Sequence, residues 1–359
     1  MKKSLKICII FIMLATFIVT IGVGCKTTTT STTTAAETTV ATETTVAETT
    51  TSAAGGAKKI IGLSLAGRNS LAFIAGEDYI KRTADQKGIF VTTTVAESDS
   101  VKQSQDIDDL IARGVNSIIA IPVDSKAIVS SIVAAHKAGI PFIAYNRMED
   151  PNASEKSDAF VGQDTVAQAY DGAVELSKIL EADGVKPENV SVLHVEGDLK
   201  DENALSRIEG FKKAAAEFGW KIVAEVPSEW NPDKALNGVT NALQANKDIN
   251  VIFLASDFLW PAVKTAMQTH DVLYPRGNAK HIYVCSQDVF PIGYQDVKNK
   301  LIDVDTVFDV GAWSVQAVEI AEKLMNGEKL TQSIYAMRGA VATFDNIDKI
   351  PNLWGKEYQ

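Results

Sequence analysis

Cysteine is scarce in this 359-residue chain, which has only Cys8, Cys25 and Cys285. Three thiols are too few for a disulfide framework. Positive charge is not in excess either. The formal net charge is -10, which argues against a phosphate-backbone binder, since that would need a basic face. The four histidines, His136, His194, His270 and His281, have no metal-ligand spacing, so no metal is expected. A phosphate-binding loop and a glycine-rich dinucleotide fingerprint are both missing, so no cofactor is expected. Gly62-Leu63-Ser64-Leu65-Ala66 approaches a nucleophile elbow. However, Ala replaces the final Gly, and Ser64 falls inside a strand rather than on a strand-to-helix turn. No catalytic residue is assigned, and the chain reads as a binder rather than an enzyme.

What is present begins with an export signal. Lys2, Lys3 and Lys6 precede an apolar run from Ile7 to Val23, which ends in Gly22-Val23-Gly24-Cys25. Small residues before a cysteine resemble a lipoprotein signal, in which cleavage leaves Cys25 as the lipid-bearing first residue. Acyl chains contribute about 0.8 kcal/mol per buried methylene, so two or more anchor stably where one is marginal. The expected location is extracytoplasmic, on the outer face of the cell membrane, with the lipid as the only membrane contact. Residues 26–57 are almost wholly Thr, Ala, Glu, Ser, Gly and Val, with no aromatic residue. Such a segment cannot bury enough surface to offset its ordering entropy, and it reads as a flexible tether reaching about 30 Å.

From Lys58 the pattern changes. Short apolar runs alternate with amphipathic stretches, as in Ser117–Ile121 followed by Ala127–Lys137 and then Phe142–Tyr145. Ten strand candidates form two series, Lys59–Gly162 and Val190–Val307, dividing near Asp150–Gly162, and the long irregular stretch Met148–Ser157 favours two lobes. Strand–helix alternation predicts an α/β fold of parallel sheets flanked by helices. One sheet of about ten strands would twist excessively, so two sheets are expected. An eight-fold barrel is the alternative.

In open parallel sheets the ligand crevice lies beyond the strand C-termini. Those positions hold Arg68 and Asn69, Asn146 and Arg147, Asp198, Asp201 and Asn203, Trp230 and Asn231, Asp257 and Trp260, Gln287 and Asp288, and Phe308 and Asp309. Planar groups with paired donors or acceptors engage adjacent hydroxyls bidentately, and Trp230 offers a flat apolar face to a sugar ring. Asp and Asn at such positions can instead cap the next helix. Arg68, Arg147 and Trp230 are not preferred caps, so they point most firmly to a pocket.

Four stretches carry a family resemblance: Ile118-Ile119-Ala120-Ile121-Pro122-Val123-Asp124, Gly139-Ile140-Pro141-Phe142-Ile143-Ala144-Tyr145-Asn146-Arg147-Met148, Arg207-Ile208-Glu209-Gly210-Phe211 and Ala255-Ser256-Asp257. In this order they resemble the periplasmic sugar-binding proteins of ABC importers of the ribose, xylose and galactose type, with the xylose branch nearest. The resemblance runs from about Lys58 to Leu330. It implies two Rossmann-like lobes joined by a three-segment hinge near Asp164, Phe308 and Arg338. The N-terminal lobe would comprise 58–164 with 309–337, and the C-terminal lobe 165–308 with 338–359. It also implies a monosaccharide ligand, pentose or hexose and most nearly xylose, bound by Arg68, Asn69, Asn146, Arg147, Asp201, Asn203, Trp230, Asp257, Asp288 and Asp309. Departures from the family pattern are Asn146 in place of Asp, Ser256 in place of Asn, Leu205 in place of Arg, and Phe308-Asp309 at the hinge strand. Delivery to a permease, a monomeric state and no nucleic-acid partner follow. Other readings are a sensor for chemotaxis or a kinase, a nucleoside or furanone binder, and an anchored hydrolase. The last lacks a nucleophile–base pair.

Overall fold

The computed structural model describes residues 58–351 and 353–358. The signal, Cys25 and the tether lie outside the described residues. Both strand series form sheets. The first contains β1 (Ile60–Leu65), β2 (Phe90–Val95), β3 (Ser117–Ala120), β4 (Phe142–Tyr145), β5 (Ala159–Gln163) and a late strand, β11 (Ile334–Met337). Its order is β11-β5-β4-β3-β1-β2, and every neighbouring pair is parallel. The second contains β6 (Ser191–Glu196), β7 (Lys221–Pro227), β8 (Val251–Leu254), β9 (Tyr283–Asp288), β10 (Val304–Val307) and β12 (Val341–Thr343). Its order is β12-β10-β9-β8-β6-β7, with β12 alone antiparallel. Two separate sheets replace the barrel alternative.

The central strands are buried on both faces, which explains their unbroken apolar runs. Every residue of β3, β4 and β8 is buried. Helices α2 (Ser100–Ala112), α3 (Ile128–Lys137), α4 (Thr165–Ala182), α5 (Glu202–Phe218), α6 (Pro232–Ala245) and α9 (Val310–Met325) match the periodic stretches. Helices α1 (Leu71–Gln86), α7 (Trp260–Thr269), α8 (Pro291–Lys298) and α10 (Trp354–Glu357) were not anticipated. Pro lies at the first or second position of α7 and α8, where its missing N–H costs nothing. In α1 the buried Glu77 and Thr83 interrupt the apolar stripe.

The chain crosses between the sheets three times. β5 leads into α4, whose Gln168 Nε2 donates to Thr306 O of β10 at 3.3 Å. β10 leads back into α9, where Ser314 Oγ lies 2.6 Å from Tyr145 Oη of β4. β11 passes to β12 through residues 338–340. At Gly339 a Cβ would overlap the Val307 carbonyl and crowd Gln163 Nε2. All three crossovers therefore converge on one glycine. The C-terminal segment touches both sheets' surroundings. Trp354 packs edge-on against Phe290 at 4.8 Å between centroids, while Tyr358 Oη donates to Asp78 of α1 at 2.8 Å.

Candidate functional site

A cavity of about 870 Å³, counting its open mouth, lies where the C-terminal ends of both sets of strands face each other. Its lining divides by sheet. Asn69, Phe73, Ser98, Asn146 and Arg147 come from the first; Asp198, Asp201, Asn203, Arg207, Trp230, Ser256, Phe258 and Asp288 from the second. Phe308 closes it at a crossover.

Asp201 is the centre of the arrangement. Its Oδ1 caps α5 by accepting from Asn203 N at 2.9 Å. That leaves Oδ2 free to accept from Trp230 Nε1 at 2.8 Å and to pair with Arg147 Nε at 2.9 Å. Arg147 also donates to Pro122 O at 3.3 Å, and its guanidinium lies 5.4 Å from the Phe73 ring centroid. A second bridge joins Asn203 Nδ2 to Asn146 O and Oδ1, both at 3.0 Å. Ser125 adds a third, since its Oγ accepts from Glu202 N at 3.1 Å. Charge-assisted and amide contacts thus tie the two sheets together across the cavity mouth.

The floor is a buried ion pair. Arg207 Nη2 donates to Asp288 Oδ1 at 2.5 Å, Nη1 to Ala255 O at 2.7 Å and Nη2 to Gln168 Oε1 at 3.1 Å. Ser256 Oγ donates to Asp288 Oδ2 at 2.5 Å. Burial pushes the Asp288 carboxyl up, and Arg207 opposes that push.

Backbone strain gathers at this edge. Nine non-glycine residues among those described have positive φ. Seven of them, Glu97, Ser98, Asn146, Glu229, Trp230, Asp288 and Val289, lie at or just past strand C-termini. Asn tolerates this region through its short polar side chain. Trp230, at φ 53°, does not, and such strain persists where surrounding contacts over-determine it. One of those contacts is the Trp230 ring lying on Gly197, where a Cβ would overlap the indole.

Of the anticipated residues, Asn69, Asn146, Arg147, Asp201, Asn203, Trp230 and Asp288 line the cavity. Arg68, Asp257 and Asp309 do not. Arg68 forms a fork with Glu77, Nη2 to Oε1 at 2.7 Å and Nε to Oε2 at 3.0 Å, with half its side chain exposed. Burial works to raise the Glu77 carboxyl, but Arg68 and Lys81 outweigh it and hold it low. Arg68 is therefore engaged by a buried carboxylate on α1 and does not line the cavity. Asp257 is fully buried behind the wall, where its Oδ2 accepts from Phe290 N at 2.7 Å; its neighbour Ser256 faces the cavity instead. Asp309 caps α9 by accepting from Ala312 N at 3.0 Å.

Arg207, Phe73, Phe258 and Phe290 also line the cavity and were not among the anticipated binding residues. Phe73 sits in the first turn of α1, which the periodicity did not reveal. Arg207 was noted only within the Arg-Ile-Glu-Gly-Phe stretch, and its inward direction follows from α5 lying over the second sheet.

Comparison with known proteins places this geometry in context. The profile described as periplasmic binding protein domain matches residues 61–329. The ribose import binding protein of Salmonella typhimurium is 26% identical over 276 residues, 76% of this chain and 87% of the relative. The D-allose-binding periplasmic protein of Escherichia coli is 28% identical over 258 residues, 69% and 78% of the two chains. Among solved structures, an ABC transporter periplasmic solute binding protein from Actinobacillus succinogenes with bound D-allose is similar at a TM-score of 0.73 and 28% identity, covering 82% of this chain and all of the other.

Proposed function

This chain belongs to the periplasmic binding protein domain family, and on that premise we propose that it captures a single monosaccharide in the cavity between its two sheets. The observation that carries the reading is the meeting of Arg147, Asp201 and Trp230 at that cavity, one from the first sheet and two from the second. A guanidinium and a carboxylate pair with vicinal hydroxyls, and an indole face covers the C–H side of a sugar ring. A ligand held by groups from both lobes favours the closed arrangement by its differential affinity for it. Each unpaired hydroxyl would carry a desolvation cost, so the site discriminates among epimers.

The proposed ligand is an aldose of pentose or hexose size, with ribose, allose and xylose foremost. Asn146 supports a hydroxyl pattern different from that read by an Asp, because its side chain donates as well as accepts. Binding without turnover is supported by the engagement of Asp201 and Asp288 with cationic or donor partners. In this reading the protein is a monomer held outside the cell membrane by a lipid on Cys25, and it hands its sugar to an ABC permease. A second reading, a nucleoside ligand, draws on the rings of Phe73, Trp230, Phe258 and Phe308 around the same cavity.

Calorimetric titration of the purified chain with pentoses, hexoses, pentitols, inositols and nucleosides tests the proposal. One saturable 1:1 complex with a sugar is expected. Saturation by a nucleoside alone selects the second reading, and no binding by any compound rejects both.

A further inference from the structure

β6 and β7 lie side by side at one edge of the second sheet, with His194 directly paired to Glu225. Side chains alternate along a strand, so His194 and Glu196 share a face of β6. The His194 ring is fully buried, and neither ring nitrogen has a hydrogen-bond partner. Phe211 and Phe253 flank it with centroids at 4.9 and 5.2 Å and fix its orientation. Its Nδ1 faces Glu196 Oε1 at 3.6 Å and Glu225 Oε1 at 3.9 Å. Those separations are too long for hydrogen bonds. Bonds of about 2.0–2.2 Å at a tetrahedral angle set donor atoms about 3.3–3.6 Å apart, which the Glu196 separation meets and the Glu225 separation reaches after a shift of a few tenths of an ångström by a half-exposed side chain. All three donor atoms lie within 4.8 Å of one another.

We propose that His194, Glu196 and Glu225 form a binding site for one divalent transition-metal ion of the zinc class. An imidazole nitrogen with two carboxylate oxygens is a borderline donor set that suits zinc or cobalt. Lys212 Nζ rests on Glu225 and lies 3.9 Å from Glu196, so a cation already occupies the mouth of the site. Its flexible stem can swing outward, and the half-exposed Glu225 gives an ion a way in. Three protein ligands leave one position for water. The sequence hid this site because Glu225 reaches His194 only through strand register. The site stands apart from the cavity and does not depend on what the cavity binds.

The test is calorimetric titration of Zn²⁺ into the chelator-treated full chain, with Co²⁺ absorption as a second readout. One equivalent of Zn²⁺ is expected to bind, and Co²⁺ should develop the visible bands of a low-coordinate site. Glu225→Gln should weaken binding at least about tenfold, and His194→Phe should abolish it. Lys212→Met should tighten it by removing the competing ammonium. Should His194→Phe fail to fold, Glu225→Gln at its half-exposed position still decides. No saturable binding by the wild type overturns the proposal. Wild-type affinity in both Glu225→Gln and Lys212→Met also overturns it, since zinc held by thiols or His136 would survive both changes.

Discussion

Arg147 and Asp201 follow strands of different sheets, yet Arg147 Nε lies 2.9 Å from Asp201 Oδ2. The same oxygen accepts from the Trp230 indole. Asp201→Asn separates this role from the capping role, because Asn caps a helix about as well as Asp. The substituted amide turns a donor toward two donors, while the cap to Asn203 N survives. The guanidinium and the indole then lose the acceptor that holds them at the cavity, so sugar affinity should fall at least about tenfold. Unfolding temperature should also fall, because one partner of a buried pair is removed, but the variant should remain folded. Calorimetry and thermal denaturation on the same sample read the two effects.

Gly197 controls the position of Trp230. A Cβ there overlaps the indole, so Gly197→Ala must push the ring off its hydrogen bond to Asp201 or force the backbone to yield. Ligand affinity is expected to drop about tenfold, with a changed near-ultraviolet tryptophan signal. Overpacking costs about 1–3 kcal/mol, so the fold should persist.

Behind the cavity floor, Asp257 and Asp305 are both fully buried, and each has one oxygen without a partner. Burial first, then neighbouring carboxylates, holds both acids well above the usual range. A carboxyl raised in the folded state contributes stability that is complete below its unfolded value of about 3.9. That stability is lost as pH rises through the folded value. Asp305→Asn removes one of the two ionisations. The variant should be more stable than the wild type near neutral pH, with the gap closing as pH falls toward about 4. Urea denaturation across that range measures it. A wild type at least as stable at every pH would contradict this account of the pair.

Gly339 is the point where the three crossovers touch. Its would-be Cβ meets the Val307 carbonyl, a backbone atom that cannot rotate away. Gly339→Ala should therefore destabilise the protein by about 1–3 kcal/mol, read as a lowered denaturant midpoint. Arg338→Ala is the contrasting case. Arg338 pairs with Asp171 at 2.6 Å but is mostly exposed, so solvent screens the pair and its loss should leave the denaturant midpoint almost unchanged.

The strands were the most legible part of the chain. Runs such as Val251–Leu254 are apolar throughout because both faces of each central strand are covered. Helices α7 and α8 were missed although Pro261 and Pro291 lie in their first turns, because both are short, at 10 and 8 residues. Position after a strand singled out Asn146, Arg147, Trp230 and Asp288, which line the cavity. It could not show that Glu77, nine residues further on, would claim Arg68. Nor could it show that Asp309 would be spent on a helix cap. Beyond Ser256 the chain turns inward, so Asp257 is buried and Phe258 reaches the cavity. These are outcomes of tertiary packing, which the order of residues along one strand does not contain.

The central claim is that a monosaccharide binds where Arg147, Asp201 and Trp230 converge. It is tested most directly by titrating the best sugar of the panel into the wild type and into Asp201→Asn and Trp230→Ala, with each variant first shown to be folded. A 1:1 complex weakened at least about tenfold by each substitution is the predicted result. Unchanged affinity in both folded variants would contradict the claim, because the sugar would then be bound elsewhere.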